Sequence, residues 1–160
     1  MTGGTGDDRQ ISYFVTGLTN AITSNLFENT DITVANVFDG ISSIESYAFA
    51  NNSKLKTVNI KGYQEGTTTV SYPVIEDNEV VYELIPSDQM FVTSIGDYAF
   101  ANCPELETIS IYPINSVPTL GNNAFANCPN LAHIYVDADK VNSFKTSSGW
   151  SNYASIIQAA

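Results

Sequence analysis

The chain has 160 residues, of which 43% are hydrophobic, and 17 acidic residues against 6 basic ones give a formal net charge of −11. This length and composition suit one domain with a packed core. The negative charge repels nucleic-acid phosphates and anionic lipid head groups, so nucleic acid and membrane surfaces are poor candidate partners, although solubility alone also explains the acidity. No apolar run is long enough to span a membrane, and MTGGTGDDRQ has no apolar stretch of the kind found in export signals.

The N-terminal stretch, residues 1–10, is rich in glycine and threonine and predicts a flexible leader. Residues 11–160 are predicted to form a single domain. Residues 26–40 are interpreted as an eroded first repeat, because they keep a phenylalanine, an aliphatic residue at Ile32 and two valines where a strand should be.

Residues 41–60, 92–111 and 117–136 share one pattern. Each stretch has an aliphatic residue, then Ala-Phe, then Asn-Asn or Asn-Cys, then a leucine, and closes on two aliphatic residues separated by one residue. Such self-similarity indicates a solenoid in which each repeat forms one coil.

The residue types within a repeat predict its local structure. Ile109 and Ile111 alternate with polar residues, which indicates a short strand with one inward face, and stacked strands of this kind form a parallel sheet. The segment 98–102 has room for one or two helical turns on the opposite side. Phe100 is predicted to fill the core there, and Ala99 to permit the close approach of the next coil.

The interval 61–91 is predicted to hold a degenerate repeat, because Ala48 and Ala99 are 51 residues apart whereas Ala99 and Ala124 are 25 apart. Within it, the strand-like runs 70–75 and 80–85 flank a turn-forming Glu-Asp-Asn-Glu segment, which predicts an inserted β-hairpin. The hairpin is either a local elaboration of the solenoid or a recognition element.

Residues 137–160 leave the repeat pattern and predict a helical cap, which a solenoid needs to cover its last coil. Asp139 is expected to cap a first short helix, Gly149 to form the turn after it, and Ser151 to cap a second helix. Trp150 is expected to cover the end of the core, with ligand contact as the alternative.

The pattern I-x-x-x-A-F-x-N-C-x-x-L-x-x-I-x-I, in which the third clear repeat has Leu120 and Val136 at its two ends, resembles the BspA-like leucine-rich repeats. The resemblance is strong over 40–60 and 92–136. It implies an α/β fold, namely a right-handed leucine-rich-repeat solenoid with a parallel β-sheet, short helical turns and a helical C-terminal cap. It also implies a bacterial cell-surface or secreted protein.

Cys103 and Cys128 occupy the same position in consecutive repeats. Equivalent residues of neighbouring coils lie about 5 Å apart, so a disulfide is conceivable, but near-parallel Cβ vectors favour free, stacked core thiols. A metal site is the least favoured alternative, since one distant histidine and no paired CxxC complete no zinc set. Asn52 replaces the cysteine in the first clear repeat, which indicates a packing position.

Catalytic and cofactor signals are weak, so the chain is predicted not to be an enzyme and no cofactor is expected. No acid is placed to orient His133 in a triad, and phosphate-loop motifs are absent from the sequence. Acidic groups at 76–79 and at Asp137 and Asp139 could hold a weak calcium ion, but charged turns are the commoner explanation.

The candidate binding surface is the outward side of the stacked strands, where small hydroxyl residues and tyrosines provide adaptable contacts. Its predicted residues are Thr57, Asn59, Lys61, Thr108, Ser110, Tyr112, His133, Tyr135 and Asp137.

The first hypothesis, taken from the family resemblance, is a non-enzymatic adhesion module that binds host matrix or cell-surface proteins and is located outside the cell. The second is a glycan-binding accessory protein that uses Tyr112, Tyr135 and Trp150 as stacking platforms. The third is a structural spacer in a larger surface assembly.

Overall fold

The computed structural model describes the backbone alone in three short segments, 10–13, 71–76 and 79–84, and the full residues elsewhere in four longer ones, 21–37, 41–60, 91–112 and 114–160. These residues form a solenoid of about four coils of parallel strands, closed at the C-terminal end by a small cap.

Each coil contains a strand of two residues, a tight turn and a strand of four residues. In chain order the strands are β1 (Gln10–Tyr13), β2 (Ala21–Ile22), β3 (Val34–Val37), β4 (Ser43–Ile44), β5 (Thr57–Ile60), β6 (Ser71–Glu76), β7 (Glu79–Leu84), β8 (Ser94–Ile95), β9 (Thr108–Ile111), β10 (Thr119–Leu120), β11 (His133–Val136) and β12 (Ile157–Ala159). The cap adds the helix α1 (Val141–Thr146) and one 3₁₀ turn (Trp150–Tyr153).

Two parallel sheets run along the stack, which confirms the predicted solenoid. The larger has the strand order β1-β3-β5-β9-β11-β12, and the smaller has the order β10-β8-β4-β2. Equivalent residues of successive repeats pair directly, as Val58 does with Ile109 and Ile109 with Ile134. Alternate residues of these strands are buried, as the two-residue period predicts.

The connections between the two strands of a coil are tight turns with no helix, which differs from the predicted short helical turns. Two residues four positions apart in each turn adopt positive φ: Asn25 and Asn29, Tyr47 and Asn51, Tyr98 and Asn102, Asn123 and Asn127. Left-handed residues interrupt a right-handed helix. Backbone N–H groups therefore donate to the next coil, as Phe49 does to the Ala99 carbonyl at 2.8 Å.

The repeats on either side of the interval 61–91 pair directly, and no described strand of another coil lies between them. The degenerate repeat predicted in that interval stays a prediction. Strand β5 pairs directly with β9, and β4 pairs directly with β8. Ala48 and Ala99 therefore belong to neighbouring coils, although they are 51 residues apart in the chain. An antiparallel pair, β6 with β7, lies between them in the sequence, and its register pairs Glu76 with Glu79.

The N-terminal coil begins earlier than the predicted repeat at 26–40, because β2 starts at Ala21 and pairs with β4. Strand β1 extends the larger sheet by pairing with β3. Gln10, the last residue of the predicted leader, belongs to β1, and residues 1–9 lie outside the described residues.

A column of stacked aromatic rings forms the centre of the core. Phe49 lies 5.1 Å, between ring centroids, from Phe27 on one side and from Phe100 on the other. Phe125 continues the column at 5.6 Å from Phe100. Phe100 is fully buried, as predicted, and so is the neighbouring Ala99.

Two glycines let adjacent coils approach more closely than any side chain would allow. A Cβ atom on Gly96 would lie 2.6 Å from the Ser46 nitrogen, and one on Gly121 would lie 2.4 Å from the Asp97 nitrogen. Real Cβ atoms do not tolerate such contacts with backbone, so these positions require glycine.

The two cysteines are free thiols in the column beside the aromatic rings. The Cys103 Sγ donates to the Phe49 carbonyl at 3.3 Å, and the Cys128 Sγ donates to the Phe100 carbonyl at 3.1 Å. Asn52, at the equivalent position, donates in the same way to the Phe27 carbonyl at 2.7 Å. The position therefore selects a small hydrogen-bond donor to the preceding coil.

The cap contains less helix than predicted. Helix α1 has six residues and begins after Lys140, whose ammonium contacts the Asp139 carboxylate at 2.8 Å, so Asp139 does not cap the helix. The second predicted helix is a 3₁₀ turn that contains Ser151 and follows Gly149, which has φ +79°. Residues Ile157–Ala159 form β12, because they complete the larger sheet by pairing with β11.

Trp150 closes the aromatic column, as predicted for a cap residue. It is fully buried, its Nε1 donates to the Pro118 carbonyl at 2.7 Å, and its ring contacts Phe144 edge-on at 4.9 Å. Phe125 also meets Tyr153 edge-on at 5.3 Å. The alternative in which Trp150 contacts a ligand is excluded, because its ring has no accessible surface.

Replacing Phe100 with alanine should lower the free energy of unfolding by about 3–5 kcal/mol, because it leaves a cavity between two stacked rings. Chemical denaturation followed by circular dichroism measures the loss. The exposed Tyr112→Ala variant is the control and should change stability little. A loss below about 1 kcal/mol for Phe100→Ala would contradict the central position of this ring.

Iodoacetamide at about pH 8.5 should alkylate Cys128 well before Cys103 in the folded protein. Cys103 is fully buried, and the neighbouring Cys128 thiol together with burial raises the pKa of the Cys103 thiol, so little thiolate forms there. Peptide mass spectrometry over a time course reports each site, and denatured protein, in which both react, is the control. Equal alkylation rates for the two cysteines in the folded protein would contradict the burial of the Cys103 thiol.

Candidate functional site

The outer face of the larger sheet is the candidate site. It consists of the outward residues of the strands whose side chains are described: Val34, Asn36, Thr57, Asn59, Thr108, Ser110, His133, Tyr135 and Gln158. These residues alternate with the buried ones, so the packing that fixes the core also fixes which side chains face outward.

The structure brings six of the predicted site residues into two adjacent rows on this face. Thr108 lies between Thr57 and His133 in one row. Ser110 lies between Asn59 and Tyr135 in the other row. Their role in binding stays a prediction.

The other three predicted residues lie at the carboxyl ends of the strands. Tyr112 follows β9 and is 36% exposed. Asp137 follows β11, and its Oδ2 accepts a hydrogen bond from the Ile114 N–H at 2.9 Å, so this carboxylate already holds a loop in place. Lys61 lies outside the described residues.

Side-chain hydrogen bonds join neighbouring strands across the outer face. Asn59 donates its amide to the Asn36 Oδ1 at 2.9 Å. At the C-terminal end, the Gln158 Nε2 lies 2.7 Å from the His133 Nδ1, and the His133 ring stacks on Tyr135 with centroids 5.7 Å apart. With the Gln158 amide donating, Nδ1 accepts and the imidazole proton lies on Nε2.

Sequence reasoning missed three members of this face, namely Val34, Asn36 and Gln158. Val34 and Asn36 carry a detectable signal, because they alternate with the buried Ala35 and Val37. Gln158 carries no such signal, since the sequence pattern around it predicts a cap helix instead of the strand that forms.

The outer face is uncharged in the strands whose side chains are described. Its nine residues include no aspartate, glutamate, lysine or arginine, although the whole chain carries a net charge of −11. Hydroxyl and amide groups dominate it, and its aromatic rings are concentrated at the C-terminal end. A partner can therefore cover this face without removing a full charge from water.

The hypothesis of hydrolytic or metal chemistry gains no support from the described residues. The His133 Nδ1 meets an amide, which does not orient a catalytic base as a carboxylate does. Among the residues that the structure describes, no three His, Cys, Asp or Glu side chains are grouped to hold a metal ion. Of the proposed calcium ligands, Asp137 and Asp139 bond elsewhere, and the side chains at 76–79 lie outside the described residues.

Among the described segments, no helix is both long and apolar enough to cross a membrane.

Comparison with known proteins identifies the repeats. No curated protein sequence gives a significant match to the chain. A family model described as "BspA type Leucine rich repeat region (6 copies)" matches residues 20–149, which is well over half of the chain and spans all of the coils described above from β2 to β11. The solenoid, its repeated Ala-Phe turns and this match together show that the chain belongs to the BspA-type leucine-rich-repeat family.

Proposed function

We propose that this chain is a non-enzymatic, protein-binding module of a bacterial cell-surface or secreted protein, and that it binds its partner through the outer face. Membership of the BspA-type family supports a protein-interaction role. The observation that carries the proposal is the uncharged outer face of a strongly acidic chain.

The composition of the outer face suits a protein partner. Charged residues are depleted at the centre of protein interfaces, whereas tyrosine is enriched there because its ring gives contact area at low entropic cost. Tyr135 and the stacked His133 supply such area, and Tyr112 adds an exposed ring beside them. Solenoid proteins commonly bind through the extended surface that their repeats create.

The hydrogen bonds across the face also favour binding. The pairs Asn59 with Asn36 and Gln158 with His133 hold their side chains in place before a partner arrives. Side chains that are already ordered lose less conformational entropy on binding, which increases affinity.

The proposed partner class is a host matrix protein or another cell-surface protein, and the proposed location is outside the cell. A spacer role is the alternative, since a spacer needs the same stacked core but no partner. The glycan hypothesis as first stated is weaker, because Trp150 is buried and cannot act as one of its stacking platforms.

Placing a charge at the centre of the outer face should weaken partner binding. We expect Ser110→Arg to weaken binding to fibronectin or fibrinogen at least about tenfold, because the partner would have to desolvate a guanidinium group with no acid opposite it. Surface plasmon resonance with the immobilised matrix proteins measures the affinity.

The matched control is Ser94→Arg, which makes the same change in the same coil but in the smaller sheet. Both serines are half-buried, so the two variants face similar steric demands. Equal loss of binding in both variants would contradict the assignment to the outer face. Flat binding curves for the parent chain against both proteins and a broad panel of surface proteins would favour the spacer.

A further inference from the structure

A polar groove lies between the last coil and the cap, in a different part of the molecule from the outer face. Its volume is about 340 Å³, and its walls are the turn at 120–123 and the cap loop at 148–153. A volume of this size is at the lower end of the range for small-molecule sites.

The groove exists because no further coil follows the last turn, and the cap does not supply the carbonyl groups that a further coil would. In the second and third coils, the Tyr47 N–H donates to the Asp97 carbonyl at 3.1 Å, and the Tyr98 N–H donates to the Asn122 carbonyl at 3.0 Å. Asn123 is the equivalent residue of the last coil, and no carbonyl of the described chain accepts from its N–H. A ligand oxygen can occupy that place.

The walls of the groove are held firmly. Gly149 lies so close to Leu120 that a Cβ on the glycine would be 3.2 Å from the Leu120 carbonyl oxygen. The hydrogen bond from Trp150 to Pro118 fixes the same loop. Tyr153 packs edge-on against Phe125 with ring centroids 5.3 Å apart. The cavity is therefore preformed.

The polar groups that line the groove are neutral and available. Asn122, Ser148 and Asn152 are exposed, and within the described residues none of their side chains has a hydrogen-bond partner. Each asparagine amide offers donors and an acceptor, and the serine hydroxyl offers both. The lining has no charged side chain, while Tyr153 and Leu120 add apolar surface.

We propose that this groove binds a neutral saccharide unit. Sugar hydroxyls donate and accept at once, so they match neutral amides and a hydroxyl better than an ionic ligand would. A second groove of about 320 Å³ shares Leu120 and Ser148 with the first, which leaves room for a neighbouring unit of the same chain.

A peptide strand fits the groove less well. A peptide that continued the solenoid would accept hydrogen bonds from the three N–H groups of Asn123, Phe125 and Asn127. The equivalent three N–H groups of the third coil donate to the last coil in this way. The Tyr153 ring packs edge-on against Phe125 and lies over the middle of this turn, so a continuous ladder is blocked there.

Titration of the ¹⁵N-labelled chain with maltotriose, cellotriose and chitotriose at millimolar concentrations tests the proposal. At least one trisaccharide should shift the amide resonances of Asn122, Asn123, Ser148 and Asn152 in a saturable way. The double variant Asn122→Ala/Asn152→Ala should weaken that binding at least about tenfold, because it removes two free amides at positions with ordinary backbone φ.

The control is Asn142→Ala, which removes an exposed amide elsewhere in the cap and should leave the shifts unchanged. An unchanged amide spectrum outside the groove shows that each variant is folded. No saturable shift with any of the three sugars would overturn the proposal, as would shifts that persist in the double variant. Shifts produced by N-acetyl-triglycine amide and not by the sugars would assign the groove to peptides instead.

Discussion

Aromatic stacking between coils is the interaction on which the rest of the structure depends. Phe27, Phe49, Phe100 and Phe125 form one column, and its centroid spacing of 5.1–5.6 Å is close to the spacing of about 4.8 Å between paired strands. The same shift from one coil to the next therefore stacks the rings, pairs the strands and forms the hydrogen bonds between the turns. Because each ring is covered by the next, the column needs a final cover, which Trp150 and Tyr153 provide.

Repetition made the inward half of the fold predictable from sequence, since every coil solves the same packing problem. The sequence pattern placed Phe100, Ile109 and Ile111 in the core, where they are fully buried. It could not show that the coil at 41–60 pairs directly with the coil at 92–111, because spacing along a chain gives its length and not its pairing partner. It also missed the turns, since Tyr-Ala-Phe-Ala-Asn suits a helix locally. Asparagine tolerates the positive φ of Asn102, but at Tyr98 only the contacts with the neighbouring coil favour it.

The same division governs function. Inward side chains must pack against the equivalent residues of the next coil, whereas outward ones such as Ser110 and Tyr135 are not constrained in this way. The alternation of inward and outward residues therefore predicted most of the outer face, but not what that face binds. The cap groove was beyond prediction because it arises where the repeat ends and the Asn123 N–H loses its partner. The groove and the outer face share no residue, so the two proposals can be tested separately.

The direct stacking of coil 41–60 on coil 92–111 is the central claim, because the continuous column and the outer face both require it. Nuclear Overhauser effects between backbone protons of β5 and β9 test it most directly, since the register places Asn59 beside Ser110. The structure predicts cross-strand effects linking Val58 and Asn59 to residues 109–111. Effects that link β5 to a strand within 61–91, with none to β9, would contradict it.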